Sequence, residues 1–436
     1  MKHLIYLLFL LPTVLFSQHK VEGVFTPAEE YTYAFLYYAT PSGASYIDRA
    51  EVDAGGHFSI TLDSTAPQGI YKIVYALPPE DNNFDLIYNG KENVAITYST
   101  EKGLDFTASS ENKLWSSYTK SMELVNMTIS NYYTKKSTDK KAFKDIFKTL
   151  SDTQSAFEEA SKGKLAHVFI TANSPYIPTD FEDISTYSNH LKDTYLKYVD
   201  FNNPLLQSSD FLIDRVLAYV FGMSQNTDNA TYTEHIDNLV TSIGDNDDTL
   251  GIKISLLQLI WQRFADNENT TLANYISDTY LIPLAKQTKN KDLETVLVAY
   301  KNNTIGMKAQ NFELVITKNG ATETTTLHDL TGDNNYLLIF WSSTCGHCLQ
   351  ELPEVTKIVP QNTRVIAIGL EDDGENWEKA IRSYPNFTHI LALEKWNNPI
   401  SIKYNISATP TYFILDKDKN IIAKPYDITA LKEILN

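Results

Sequence analysis

Cysteine occurs twice in this chain of 436 residues, and the two copies stand three apart, at Cys345 and Cys348. Two cysteines scattered at random would fall at that spacing roughly once in 200 chains. An apolar run, 336–341, precedes the pair, and a helical pattern, 349–358, follows it. These periods predict a buried strand, a turn carrying Cys345-Gly346-His347-Cys348, and a helix opening at Cys348. Further short apolar runs lie at 365–370, 390–393 and 412–415, with another helical pattern at 377–384. Strands alternating with helices predict an α/β fold over residues 301–436.

A thiol at the start of a helix meets unsatisfied N–H groups and the positive end of the dipole, both of which favour the nucleophilic thiolate. The spacing lets the second thiol fold back and close a disulfide. One thiol can then attack a substrate disulfide while the other resolves the mixed disulfide. Three plainer readings stand beside this one. A structural disulfide would close a very short loop, where loop closure stabilises least. A zinc half-site would need two more ligands, and His328 and His389 lack paired ligand spacing. The thiols could also be buried and inert.

The first residues read as an export signal. Lys2 supplies the positive start, 4–16 is almost unbroken apolar sequence, and Ser17 offers a small residue for cleavage, so 1–17 is expected to be removed. The run is shorter than the roughly 20 residues a spanning helix needs, and Pro12 weakens it; an uncut anchor is the alternative. Export implies the periplasm or cell envelope, where disulfides persist. Net charge is −17, with 37 Lys+Arg against 54 Asp+Glu. That balance argues against a nucleic-acid partner, which requires a basic face. The acidity is uneven: residues 301–436 hold 13 basic and 16 acidic side chains, the first 300 hold 24 and 38. In the first 300 it is read as serving solubility.

Length predicts two to four domains. Residues 18–109 read as a small antiparallel β-sandwich. Phe58, Ile60 and Leu62 alternate with polar residues after Gly55-Gly56, Tyr31, Tyr33 and Phe35 alternate likewise, and strand-like runs lie at 70–77, 84–88 and 94–98. Residues 110–300 read as an all-α bundle. Leu114, Tyr118, Met122 and Val125 keep helical spacing, as do Phe143, Phe147 and Leu150 after an expected cap at Ser137. Later helical runs are 211–223, 233–243, 250–264 and 272–285. These stripes are read as core.

Four segments of the last third resemble, in order, the TlpA/ResA-like exported thiol–disulfide oxidoreductases of the thioredoxin superfamily. They are Gly306-Met307-Lys308-Ala309-Gln310-Asn311-Phe312, with Gln310 where the family has proline; Phe340-Trp341-Ser342-Ser343-Thr344-Cys345-Gly346-His347-Cys348; Glu351-Leu352-Pro353; and Ala408-Thr409-Pro410-Thr411-Tyr412-Phe413-Ile414-Leu415-Asp416. The resemblance implies a thioredoxin-like fold for 301–436, with Cys345 as nucleophile and Cys348 as resolving thiol. It implies a cis Pro410 that sets the backbone of Thr409 beside the sulfurs, and Trp341 packed beneath the motif. Ile339 stands where many thioredoxins bury an acid, and Thr344 where an aromatic residue is usual. Glu371 and Asp372, after the next strand, are candidate proton carriers; the alternative is a solvated acidic loop with Asp373 and Glu375. The Gly-His dipeptide is that of protein disulfide isomerases, and His347 is expected to raise the reduction potential. The implied partners are disulfide-containing exported proteins and a membrane-bound thiol electron donor, with no cofactor and no metal. The implied activity is reduction or isomerisation of disulfides. The alternative is a binding or scaffold protein of the envelope with a vestigial thioredoxin domain. A peroxiredoxin is disfavoured because the proline of its Pro-x-x-x-Thr-x-x-Cys arrangement is missing. More loosely, through Gly56-His57-Phe58-Ser59-Ile60 and domain order, the first two segments resemble uncharacterised regions that precede such domains, which implies no activity.

Overall fold

A computed structural model of the chain describes residues 18–318 and 321–435. The export signal expected at 1–17 lies outside the described residues. Among the described residues no helix is long and apolar enough to cross a membrane. The described residues form two compact units, which divide between Leu256 and Leu257.

The first unit opens with eight strands: β1 (Lys20–Thr26), β2 (Tyr33–Thr40), β3 (Gly43–Glu51), β4 (His57–Thr61), β5 (Gly69–Val74), β6 (Asn83–Tyr88), β7 (Val94–Ser99) and β8 (Gly103–Ala108). They form two sheets, ordered β4-β1-β7-β8 and β3-β2-β5-β6. Val21, Phe58, Ile60, Val94 and Ile96 from one sheet share a core with Leu36, Tyr71, Ile73 and Leu86 from the other, which makes a sandwich. Pairing is antiparallel except between β1 and β7, which run parallel. Gly56 makes the turn before β4 at φ +83, and a side chain there would strike the Phe25 carbonyl oxygen at 2.1 Å.

The alternation at Phe58 and Ile60 faces the core as expected, but that at Tyr33 and Phe35 does not. In β2 the buried positions are Ala34, Leu36 and Ala39; Tyr33 and Phe35 pack outward, with Arg49 stacked on Tyr33 at 5.0 Å. Strand β3 is exposed along nearly its whole length and so carries no apolar period.

Helices follow at Ser110–Thr134, Lys140–Ser161, Ala166–Ala172, Ile184–Thr194, Asp210–Gly222 and Asn229–Ile243. Tyr118, Met122, Phe143, Phe147 and Leu150 meet in one core, as their spacing predicts. The cap of the second helix is Asp139, not Ser137: its carboxylate accepts from the Lys141 and Ala142 N–H groups, satisfying donors that a helix start leaves open.

The second unit includes the helices Thr270–Ile276, Ile282–Gln287 and Lys291–Asn302, with a π turn at Ser277–Leu281 where an unbroken helix was expected. A hairpin follows, β9 (Glu313–Lys318) and β10 (Ala321–Thr326). The main sheet contains β11 (Asn335–Trp341), β12 (Thr363–Glu371), β13 (Thr388–Leu393), β14 (Thr411–Asp416) and β15 (Ile421–Ala423), in the order β13-β12-β11-β14-β15. Strands β11, β12 and β13 are mutually parallel, and β14 runs against β11. Central β11 is buried on both faces, hence its unbroken apolar run. Tyr336, Leu338 and Phe340 pack with Tyr404 and Phe413; Leu337, Ile339 and Trp341 pack with Leu352, Val355 and Cys348. The parallel strands therefore end at one edge, and the loops that follow them gather there.

Candidate active site

Strand β11 ends at Trp341, and five positions on the helix Gly346–Ile358 begins, with Cys345 as its N-cap. The Cys345 sulfur accepts a hydrogen bond from the Cys348 N–H at 3.2 Å, and lies 3.5 Å from the Thr409 carbonyl oxygen, to which its thiol can donate. Thr409–Pro410 is cis. Both thiols are free; Cys345 is partly exposed and Cys348 fully buried. Trp341, also fully buried, packs in the same cluster as both cysteines.

These surroundings drive the two thiols apart. Burial opposes charge on Cys345, but the Cys348 thiol and N–H, the Thr409 side chain and the His347 N–H outweigh it and hold Cys345 below the usual thiol value. Burial, reinforced by the Cys345 sulfur, pushes Cys348 up to about 12. The imidazole of His347 is exposed, so the contribution that reaches Cys345 comes from its backbone.

Glu371 ends β12 and is buried. Its carboxylate accepts from the Ser343 N–H at 2.5 Å and the Ser342 hydroxyl at 3.3 Å, which ties the end of β12 to the turn leading into Cys345. Asp372 is exposed and pairs with Lys395 at 2.5 Å. Asp373 and Glu375 are not drawn into the site; Glu375 pairs with Lys379 at 2.8 Å. Ile339 is buried beside Trp341 in the core and brings no acid to the thiols. His328 and His389 donate from Nε2 to the carbonyls of Ala309 and Tyr384 at 2.7 and 2.8 Å, and neither is a partner of the cysteines.

Sequence reasoning missed one pair. Glu351 lies three residues beyond Cys348, on the same face of the helix, and accepts a hydrogen bond of 2.7 Å from the hydroxyl of buried Tyr412. Burial first, then the charges of Glu351 and Cys348, raise the Tyr412 phenol well above its ordinary value. The signal was present: i,i+3 spacing from the second cysteine, and a tyrosine two residues after Pro410.

The profile of a thioredoxin-like family matches residues 332–421, which span the whole of this constellation. Over 123 residues the chain is 30% identical to the thioredoxin-like protein YneN of Bacillus subtilis, covering 27% of this chain and 68% of that one. The chain belongs to the thioredoxin-like family. Its thioredoxin-like part is the sheet β11–β15 with its helices, inside the second unit. Among solved structures, a domain of a possible thiol-disulfide isomerase from Cytophaga hutchinsonii is 33% identical, covering 30% of this chain and 90% of that one, with a TM-score of 0.25. A thioredoxin-like protein from Bacteroides caccae is 18% identical, covering 60% of this chain and 96% of that one, with a TM-score of 0.31.

Proposed function

We propose that the protein is an exported thiol–disulfide oxidoreductase of the TlpA/ResA-like kind, acting in the periplasm or cell envelope as a reductase or isomerase on disulfide-containing exported proteins. The observation that carries this reading is the contrast between two thiols three residues apart: a partly exposed one held below the usual thiol value and a buried one pushed up to about 12. Cys345 thiolate attacks a substrate disulfide, forming a mixed disulfide and releasing one substrate thiolate. Cys348 gives up its proton and attacks the Cys345 sulfur, releasing the second thiolate. The substrate gains two electrons and two protons, and the protein is left with a Cys345–Cys348 disulfide. Two thiols of a membrane-bound donor then return it to the dithiol. In isomerisation the released substrate thiolate exchanges into another disulfide of the same substrate, and the different cysteine freed there attacks the adduct, forming a new pairing and releasing Cys345 thiolate with no net electrons moved.

The remaining residues support these steps. The backbone of Thr409, before Pro410, offers its carbonyl beside the reacting sulfur. Trp341 floors the motif. Glu371 fixes the turn that presents Cys345. Glu351, bonded to Tyr412, is the group best placed to take the proton that Cys348 must lose. No cofactor or metal enters this scheme.

The test is covalent trapping. Cys348→Ser lacks the resolving thiol, so mixed disulfides with envelope proteins should accumulate through Cys345 and be released by dithiothreitol. Cys345→Ser should accumulate none. Adducts formed through Cys348 in the Cys345→Ser protein, or no adducts in either, would overturn the assignment and favour the scaffold reading.

A further inference from the structure

The first unit holds a buried charge that the thiol chemistry does not use. Arg215, in the helix Asp210–Gly222, is only 8% exposed. One terminal nitrogen donates to Asn173 Oδ1 at 2.6 Å and the other to the Tyr195 carbonyl at 2.7 Å, and the guanidinium lies 4.1 Å from the centre of the Tyr195 ring. Its Nε has no hydrogen-bond partner. Among the described residues no carboxylate pairs with it, and the ionisable groups acting on it are the phenols of Tyr195 and Tyr118. Arginine stays protonated in proteins, and a buried cation without a counter-ion is costly.

Arg215 also lines a cavity of about 500 Å³, a size usual for small-ligand sites. The wall beside it is aromatic. Trp115, Phe169 and Phe211 surround one another at centroid distances of 5.5 to 5.7 Å, mostly edge to face. Asp85, Asp210 and Asp214 line the same cavity; Asp85 and Asp210 share Lys72 at 2.6 Å each, which leaves that end net negative. That end repels a dianion such as a phosphate monoester about twice as strongly as a single negative charge, so a monoanion is the better match for the guanidinium.

We propose that this cavity binds a small monocarboxylic acid with a flat apolar body, the carboxylate paired with Arg215 and the body against Trp115, Phe169 and Phe211. The carboxylate supplies the missing counter-ion in the planar geometry that a guanidinium matches.

Calorimetric titration of the full-length protein with 3-phenylpropionate tests this, against 3-phenylpropionamide, which has the same body and no charge, and phenyl phosphate. The acid is expected to bind one to one, at least about tenfold tighter than either comparator. Arg215→Lys, which keeps the charge but loses the planar fork, should weaken the acid by a similar factor. Ala218→Leu, which fills the cavity and leaves Arg215 in place, should block it without changing disulfide turnover. No heat with the acid at millimolar concentration, equal binding of acid and amide, or unimpaired binding by folded Ala218→Leu would each overturn the proposal. If Arg215→Lys does not fold, the comparison of acid with amide on the wild type and the Ala218→Leu protein still decide it.

Discussion

Cys345 and Arg215 are each the most chemically pointed group of their unit, and they are held in opposite ways. Cys345 stands partly exposed at a helix N-terminus, where backbone donors and a neighbouring thiol set its charge. Arg215 is enclosed among aromatic rings and carbonyl oxygens, with no carboxylate paired to it among the described residues. The difference follows from the sheets. Parallel β11, β12 and β13 send their following loops to one edge, where buried Glu371 holds the turn that leads to the partly exposed Cys345. In the antiparallel pairs of the sandwich, successive turns fall at alternate ends, and no single edge collects side chains. The polar groups of the first unit's cavity, Asp85, Asn112 and Arg215 among them, lie where sheet meets helix.

The sharpest break in this comparison is Cys345→Ser. Disulfide reduction, followed as insulin precipitation, should fall by about 1,000-fold or more, the scale expected when a nucleophile is removed. Melting of both units should be unchanged. A loss of folding instead would make the thiol structural.

Leu36→Ala makes the complementary cut in the first unit. Leu36 is fully buried in the sandwich core, and truncation should cost about 2–5 kcal/mol in denaturant unfolding. Insulin reduction, assayed below the unfolding transition, should not change, because nothing at the thiols depends on that core. Parallel loss of turnover would show that the two regions are not chemically separate.

Glu351→Gln keeps the bond from Tyr412 but removes the proton acceptor. Decay of the mixed disulfide in a single turnover should slow by roughly 100-fold at neutral pH. The rate should recover as pH rises toward the value of about 12 to which Cys348 is pushed, since Cys348 then ionises without help. An unaltered rate would leave the proton to solvent.

The smallest effect separates the backbone of His347 from its side chain. His347→Pro removes the N–H that helps hold Cys345 below its ordinary value, and His347→Ser keeps it. Stabilising the thiolate stabilises the reduced form, so losing the N–H should lower the midpoint potential by about 30 mV for each 1.4 kcal/mol lost. The serine variant should stay near the wild type. Equal shifts in both would return the effect to the imidazole.

Much of the second unit was legible in the sequence because its signals are local. A strand buried on both faces reads as an unbroken run, and two cysteines with their flanking strand and helix mark the turn. The Glu351–Tyr412 bond joins residues 61 apart in sequence, so only the helical spacing of Glu351 from Cys348 hinted at it. Glu371 was flagged by its place after a strand, but its hold on Ser342 and Ser343 depends on β11 and β12 being neighbours. In the first unit, β3 has no buried face to announce it, and Tyr33 and Phe35 misled because aromatic rings also stack on the outer face of a sheet. Arg215 follows Asp214 in a mostly apolar helix, where a charged pair reads as surface; its burial comes from Tyr195 and Asn173, which no local period connects to it.

Differential alkylation of the reduced wild-type protein, read by peptide mass spectrometry across pH, tests the contrast between the two thiols most directly. A lowered pKa means more thiolate at a given pH, so iodoacetamide should label Cys345 with a midpoint below the ordinary thiol value of 9.0. Cys348 should stay unlabelled until the pH approaches about 12. Labelling of both at the same midpoint, or of Cys348 first, would mean that the helix N-terminus does not set Cys345 apart as the attacking thiol.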